Sequence, residues 1–270
     1  MRKLLVVSAA LAALVGSPAL AADMAAPVYK APPPPAPVCV WCGWYVGVNA
    51  GGAVNNSTYS VEPAGGFLTI PLFLPDNGQR TASANLNQTS FTGGIQGGYN
   101  YQTGMWVWGV ETDFNYKGEN QTSNVNRPLV APLAGNFVTS VNEKFDWFGT
   151  FRGRVGITPT PTMLIYGTGG LAYGHVSSAS NVMFTLGGDT YTGAASATKA
   201  GWTAGAGAEW MFAHNWSLKV EYLYVDLGKL SYTSACVATT VCGGITPTLA
   251  FQTDLRVRDN IARAGVNMHF

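Results

Sequence analysis

Asn260-Ile261-Ala262-Arg263-Ala264-Gly265-Val266-Asn267-Met268-His269-Phe270, the last eleven residues, decide the fold. Read backwards, Phe270, Met268, Val266, Ala264 and Ala262 are apolar or small, while His269, Asn267, Gly265 and Arg263 fall between them. Strict alternation describes a β-strand with one apolar and one polar face. A strand of this kind ending on an aromatic suits a lipid-embedded barrel, whose apolar residues face lipid and whose polar residues face the lumen. The rest of the chain must then supply the other strands.

Composition agrees. The 270 residues include 11% charged side chains, against about 25% in ordinary soluble domains. The 33 glycines and 12% aromatics suit a small barrel with aromatic girdles. Beyond the start of the chain there is no apolar run of ~20 residues, which argues against a helical span. Residues 1–21 have the pattern of an export signal: Arg2 and Lys3, an apolar core over residues 4–15, and Ala19-Leu20-Ala21 as an A-x-A cleavage site. Residues 22–40 read as a semi-rigid periplasmic spacer, rich in Ala and Pro, with Pro32, Pro33, Pro34 and Pro35 favouring polyproline II. Residues 41–270 form the barrel.

Eight alternating segments follow. The first sets Trp44, Val46, Val48 and Ala50 against Tyr45, Gly47, Asn49 and Gly51. A stretch containing Pro63, Pro71, Pro75 and Asp76-Asn77-Gly78 reads as a large loop. Segment two, residues 89–102, sets Phe91, Ile95, Tyr99 and Tyr101 against Thr92, Gln96 and Asn100. Segment three, residues 105–117, sets Trp106, Trp108, Val110, Phe114 and Tyr116 against Glu111, Asp113 and Asn115. Segment four, residues 143–157, sets Trp147, Phe151, Val155 and Ile157 against Thr150, Arg152 and Arg154. Segment five, residues 163–175, is apolar on both faces at its start, and Leu164 and Tyr166 are assigned to lipid. Segment six, residues 200–212, carries Trp202, Trp210 and Phe212 opposite Thr203 and Glu209. Segment seven, residues 216–227, carries Trp216, Leu218, Val220, Tyr222 and Tyr224 opposite Ser217, Lys219 and Glu221. The eighth begins pairing near Phe251. Connections alternate between long loops and tight turns, the outer-membrane pattern of long extracellular loops and short periplasmic turns. The expected fold is all-β: an eight-stranded antiparallel up-and-down transmembrane β-barrel in the cell outer membrane. A soluble lipocalin-like barrel fits less well, because the polar face is rich in Gly and Trp and Tyr sit near strand ends, where interface girdles form.

The polar faces bring together Glu111, Asp113, Glu209 and Glu221 with Arg152, Arg154, Lys219 and Arg263, acids and bases in equal number. Eight strands leave an interior just wide enough for side chains, and unpaired charge there is costly. A salt-bridged plug is the expectation; a narrow or gated pore for ions and small solutes is the alternative. Nothing points to an enzyme: His214 falls in a turn, His269 lies at the periplasmic mouth, and His175 with Ser177 and Ser178 shows no readable triad. No cofactor, metal or nucleic-acid site is indicated, since Cys39-Val40-Trp41-Cys42 lacks a second pair at zinc spacing and no basic cluster is present. The topology separates Cys39 and Cys42 from Cys236 and Cys242 across the membrane, so two local disulfides are expected, in keeping with an oxidising compartment. Phe67, Leu68, Ile70, Leu72, Phe73 and Leu74 make the first loop unusually apolar, suited to packing over the mouth or to meeting a partner or lipopolysaccharide.

Several runs carry a family resemblance: Trp41-x-Gly43-x-Tyr45-x-Gly47-x-x-x-Gly51, Trp108-Gly109-Val110-Glu111-Thr112-Asp113, Asp146-Trp147-Phe148-Gly149-Thr150-Phe151-Arg152-Gly153-Arg154-Val155-Gly156, and Tyr166-Gly167-Thr168-Gly169-Gly170-Leu171-Ala172-Tyr173. Together with the Phe270 terminus they resemble the small outer-membrane immunogenic, porin-like proteins of alpha-proteobacteria, over nearly the whole mature chain. The resemblance implies a barrel similar to the OmpA transmembrane domain and OmpX. It implies an abundant surface protein that supports envelope integrity, is exposed to host ligands at its extracellular loops and sometimes behaves as a weak porin. Phe270, Met268 and Val266 match the C-terminal signal read by the barrel-assembly machinery. The two cysteine pairs depart from the family pattern.

Overall fold

The structure, a computed structural model, describes residues 39–69, 78–131, 134–237, 242 and 248–270. The expected signal, most of the spacer, and Ile70, Leu72, Phe73 and Leu74 lie outside the described residues. The elements are β1 Gly43–Asn55, β2 Ser57–Gly65, α1 Gly66–Thr69, β3 Ala82–Leu86, β4 Thr89–Thr103, β5 Trp106–Pro128, β6 Asn136–Thr160, β7 Met163–Phe184, β8 Thr190–Ala213, β9 Trp216–Cys236 and β10 Leu249–His269.

Strands β4 to β10 follow β1 in chain order, and β1 pairs with β10 to close the ring. Both β1 and β2 pair with β10, Asn55 opposite Asp259 and Thr58 opposite Arg256. They are therefore one barrel strand interrupted at Asn56, whose N–H donates to the Arg258 carbonyl at 2.8 Å. Strand β3, paired to β2, precedes β4 in the same way, so ten segments make an antiparallel ring of eight. The stretch read from sequence as one large loop thus contains β2, α1 and β3. The other three long connections are also shorter than expected, because β5 to β10 run for 21 to 25 residues each. A bilayer needs only about 9–11 residues per tilted strand, so the barrel projects as a tall collar beyond the membrane.

Alternation sorts the side chains in the membrane-spanning half. Trp44, Phe91, Ile95, Trp108, Val110, Phe151, Trp202, Trp210 and Val220 point outward with 46–67% of their surface open. Such a continuous apolar belt has no place in water and every place in lipid. At the turn end, Gly104 adopts φ +60° in the tight β4–β5 connection, a conformation that glycine takes without a Cβ penalty. The last strand follows its alternation: Ala262, Ala264 and Phe270 are exposed, and Arg263, Asn267 and His269 are buried.

One assignment reverses. Leu164 and Tyr166 face inward, 0% and 3% exposed, and Met163 and Ile165 take the outer face. The β7–β8 register sets Tyr166 opposite Gly207, where a Cβ would come within 2.6 Å of the Tyr166 hydroxyl. Glycine on the neighbouring strand makes the room that this inward ring needs.

In the collar the interior is apolar instead. Val61, Phe67, Leu86, Phe137, Val141, Phe145, Val182, Tyr191, Phe251 and Leu255 form a closed core, while the outer face carries Asn120, Thr122, Asn142, Asn181, Thr192 and Ser196. The barrel is thus lipid-soluble outside at one end and has a water-soluble protein's organisation at the other.

Candidate functional site

Eight charged side chains form a connected set inside the membrane half of the barrel. Glu111, Asp113, Arg152, Arg154, Glu209, Lys219, Glu221 and Arg263 are each at most 4% exposed. Arg152 lies at the centre: its guanidinium contacts Glu111, reaches Asp113 Oδ2 at 2.9 Å and Glu221 Oε1 at 3.0 Å, and donates to Thr150 at 2.9 Å. Arg263 adds contacts to Asp113 at 2.7 Å and Glu221 at 2.6 Å. Lys219 holds Glu111 at 2.7 Å, and Arg154 joins Glu209 at 3.2 Å to Glu111 at 3.4 Å. Seven of these ions make several hydrogen bonds each, and Lys219 adds an ion pair to Glu221 at 3.6 Å to its bond with Glu111, the kind of compensation under which buried charge is tolerated.

Neutral side chains complete the set. Tyr45 donates to Glu111 at 2.7 Å and Tyr166 to Glu221 at 2.9 Å, and the Arg154 guanidinium lies over both rings at 4.6 and 5.2 Å. Glu209 accepts from Ser217 at 2.5 Å and Asn267 at 2.6 Å, and Gln96 donates to Asn267 at 2.6 Å. Sequence reading had Tyr45, Gln96, Ser217 and Asn267 on polar faces but gave them no part in the network; only their strand parity signals it.

Below the charges sits a stopper. Trp41 precedes β1, is completely buried, and packs on Val107, Leu164, Tyr166 and Met211. Its indole N–H donates to the Pro161 carbonyl at 3.1 Å and its backbone N–H to Gln102 Oε1 at 3.2 Å, while its ring meets His269 edge-on at 5.8 Å. The Cys39–Cys42 disulfide, with Cα atoms 5.5 Å apart, closes a small ring around it. Cys236 and Cys242 form the second disulfide, with Cα atoms 6.3 Å apart, at the collar end.

Above the charges, where the lumen gives way to the collar, lies a cluster that sequence reading missed. Lys117 contacts Glu119 and Asp259, the latter at 2.6 Å, and sits 4.4 Å over the Phe145 ring. Asn55 Nδ2 donates to Glu119 and to Glu143, the latter at 3.1 Å, and Ser57 donates to Glu143 at 3.2 Å. Two carboxyl groups therefore share one ammonium, and a third, Glu143, joins the cluster through Asn55 and Ser57. Glu143 lies beyond the membrane belt, since its outward neighbours Lys144 and Asp146 form an ion pair at 2.9 Å with Lys144 half exposed. Burial and the nearby Glu119 raise its carboxyl to about 7.

The histidine–serine group at the rim is split between two faces: His175 and Ser177 both meet Ser196 on the outer one. His175 Nε2 and Ser196 Oγ are 3.0 Å apart on the outer face, whereas Ser178 points inward to Tyr232 at 2.9 Å. Among the described residues no carboxylate is hydrogen-bonded to His175, so a nucleophile, base and orienting acid do not meet there.

Residues 7–270 match the outer membrane protein beta-barrel domain. The chain belongs to that family. It is 41% identical over 236 residues to a 31 kDa outer-membrane immunogenic protein of Brucella melitensis, covering 83% of this chain and 87% of that one. A 25 kDa outer-membrane immunogenic protein of Brucella abortus is 30% identical over 89% of this chain and 91% of its own. The outer-membrane protease OmpT from Escherichia coli is similar at a TM-score of 0.49 and 9% identity, covering 84% of this chain and 97% of that one. Family membership places the barrel in the outer membrane, with its apolar belt against lipid.

Proposed function

We propose that this chain is a plugged surface barrel that supports envelope integrity and meets the surroundings through its collar, without enzymatic activity. The observation that carries the reading is the filled interior: the Trp41 stopper, the eight-charge network and the collar core succeed one another along the axis. Glu111, Asp113, Arg152, Arg154, Glu209, Lys219, Glu221 and Arg263 act as filler that fixes strand register. The chain is made as a precursor cleaved after Ala21, with residues 22–40 as spacer. Its partners are outer-membrane lipid and lipopolysaccharide, surface ligands at the extracellular loops, and the barrel-assembly machinery, which reads Phe270, Met268 and Val266.

Single-channel recording on refolded protein tests this against the porin alternative. The expected result is a silent membrane for the wild type and for Glu111→Ala. Reproducible wild-type conductance, altered by Glu111→Ala or Arg152→Ala, overturns the plug and establishes a pore.

A further inference from the structure

One carboxylate faces the membrane side of the barrel and is nonetheless buried. Asp226 follows Tyr222 and Tyr224 along the outer face of β9, yet is 4% exposed, because Arg256 and Arg258 of β10 lie across it. Arg256 Nη2 and Arg258 Nε donate to Asp226 Oδ2 at 3.0 and 3.2 Å, and the Gly228 N–H donates to Oδ1 at 2.8 Å. The backbone builds this arrangement. The β9–β10 ladder shifts register between Val257 and Arg258, and Gly228 at φ +75° completes the bulge; bulges re-aim side chains in this way.

Two guanidiniums meet one carboxylate, which leaves one net positive charge. Arg256 and Arg258 keep 45% and 32% of their side-chain surface open, and among the described residues only Asp226 accepts from their side chains. The next pair up, Lys229 on Asp254 at 3.0 Å, is neutral, as is Lys144 on Asp146 across the barrel. Height matters as much as charge. Arg258 is opposite Asp226, and Asn260 is opposite Tyr224, so the arginines begin about 7 Å along the strand above the tyrosine girdle. That is headgroup depth, with guanidinium forks whose geometry matches phosphate oxygens.

We propose that Arg256 and Arg258, preorganised by Asp226, form a binding site for the phosphate of a phosphorylated glycolipid headgroup in the outer leaflet. The proposal rests on the surface-barrel reading and names one of its lipid contacts. Asp226 holds the two like charges together and turns their free N–H groups toward the membrane.

The test uses full-length barrel in nanodiscs containing diphosphorylated lipid A, the same lipid with its phosphates removed, or neither, with retained lipid counted by native mass spectrometry. The wild type is expected to retain the phosphorylated form at least tenfold more strongly than the dephosphorylated one. Arg256→Gln/Arg258→Gln is expected to abolish that preference, and Lys144→Gln to keep it. Arg256→Gln alone serves if the double variant does not fold, and should weaken the preference severalfold. An unchanged preference in either arginine variant overturns the site. Inorganic phosphate that binds detergent-solubilised protein as tightly as the lipid does would make this a free-anion site and overturn the headgroup assignment. Conductance in bilayers bears on the plug alone, so the two readings fail separately.

Discussion

Replacing Glu143 with Gln should remove a pH dependence of stability that the wild type carries. Glu143 is faced by Glu119 and Lys117 from β5, Asp259 from β10, Asn55 from β1, Ser57 from β2 and, across the β6–β7 ladder, Ser178. Folding raises its carboxyl from 4.5 to about 7. Between those values the folded state holds a proton that the unfolded chain has already released. The contribution of this group to stability is therefore fully present at or below about pH 4.5 and falls as pH rises, the loss being complete once pH passes 7. At about 1.4 kcal/mol per pKa unit, the wild type should lose about 3 kcal/mol across this window. Gln mimics the protonated acid, so Glu143→Gln should match the wild type near pH 4.5 and exceed it by a comparable amount at pH 8. Urea unfolding of barrel refolded in detergent micelles, followed by tryptophan fluorescence at half-unit pH steps, measures the difference. Parallel pH profiles for the two proteins would refute the reasoning, since they would mean that Glu143 ionises in the collar at no cost.

Trp41→Ala should cost about 3–5 kcal/mol in the same urea assay, the range for emptying a fully buried Trp site; a shift below 1 kcal/mol would mean that the stopper seals nothing. Arg152→Met strips Glu111, Asp113 and Glu221 of their shared cation and should destabilise by about 3–5 kcal/mol, read as a lower unfolding midpoint. Cys236→Ser opens a loop closed across a sequence separation of 6 and should cost about 2 kcal/mol, with faster proteolytic nicking at the collar end. Deleting Phe270 should lower outer-membrane levels while export to the periplasm continues, measured by fractionation; normal outer-membrane levels would dismiss an assembly role.

The membrane half was legible because lipid outside and charge inside give every strand one phase of alternation. In the collar the rule inverts, and β6 shows how. Trp147, Phe151 and Val155 turn outward to lipid, whereas Phe137, Val141 and Phe145 turn inward to the collar core, although all six are odd-numbered. The switch is a bulge: Phe145 and Phe148 are both 1% exposed, three residues apart, where the ladder changes register. Sequence alternation cannot report a bulge, so the upper strands looked like loops. Their outer residues, such as Asn142, Ala179 and Ser196, add no apolar signal. Leu164 and Tyr166 were misplaced for a related reason: residues 163–166 are apolar at every position, and only the hydroxyl of Tyr166, seeking Glu221 at 2.9 Å, picks the face. Glu111, Asp113, Arg152, Arg154, Glu209, Lys219, Glu221 and Arg263 stand at polar-face parity on well-marked strands, whereas Lys117, Glu119, Glu143 and Asp259 fall at or beyond the margins of the alternating segments.

The stopper has a mechanical consequence. Trp41 is wedged between the β6–β7 turn and the end of β10, and lies within the ring that the Cys39–Cys42 disulfide closes. Tension arriving along the chain before Cys39 would therefore be borne first by a cross-linked knot and an indole seated on several strands. Without that knot, the same pull would act on the end of β1 and could peel it from β10 one hydrogen bond at a time. The chain is moored across the floor of the barrel, and its closing seam is spared the load.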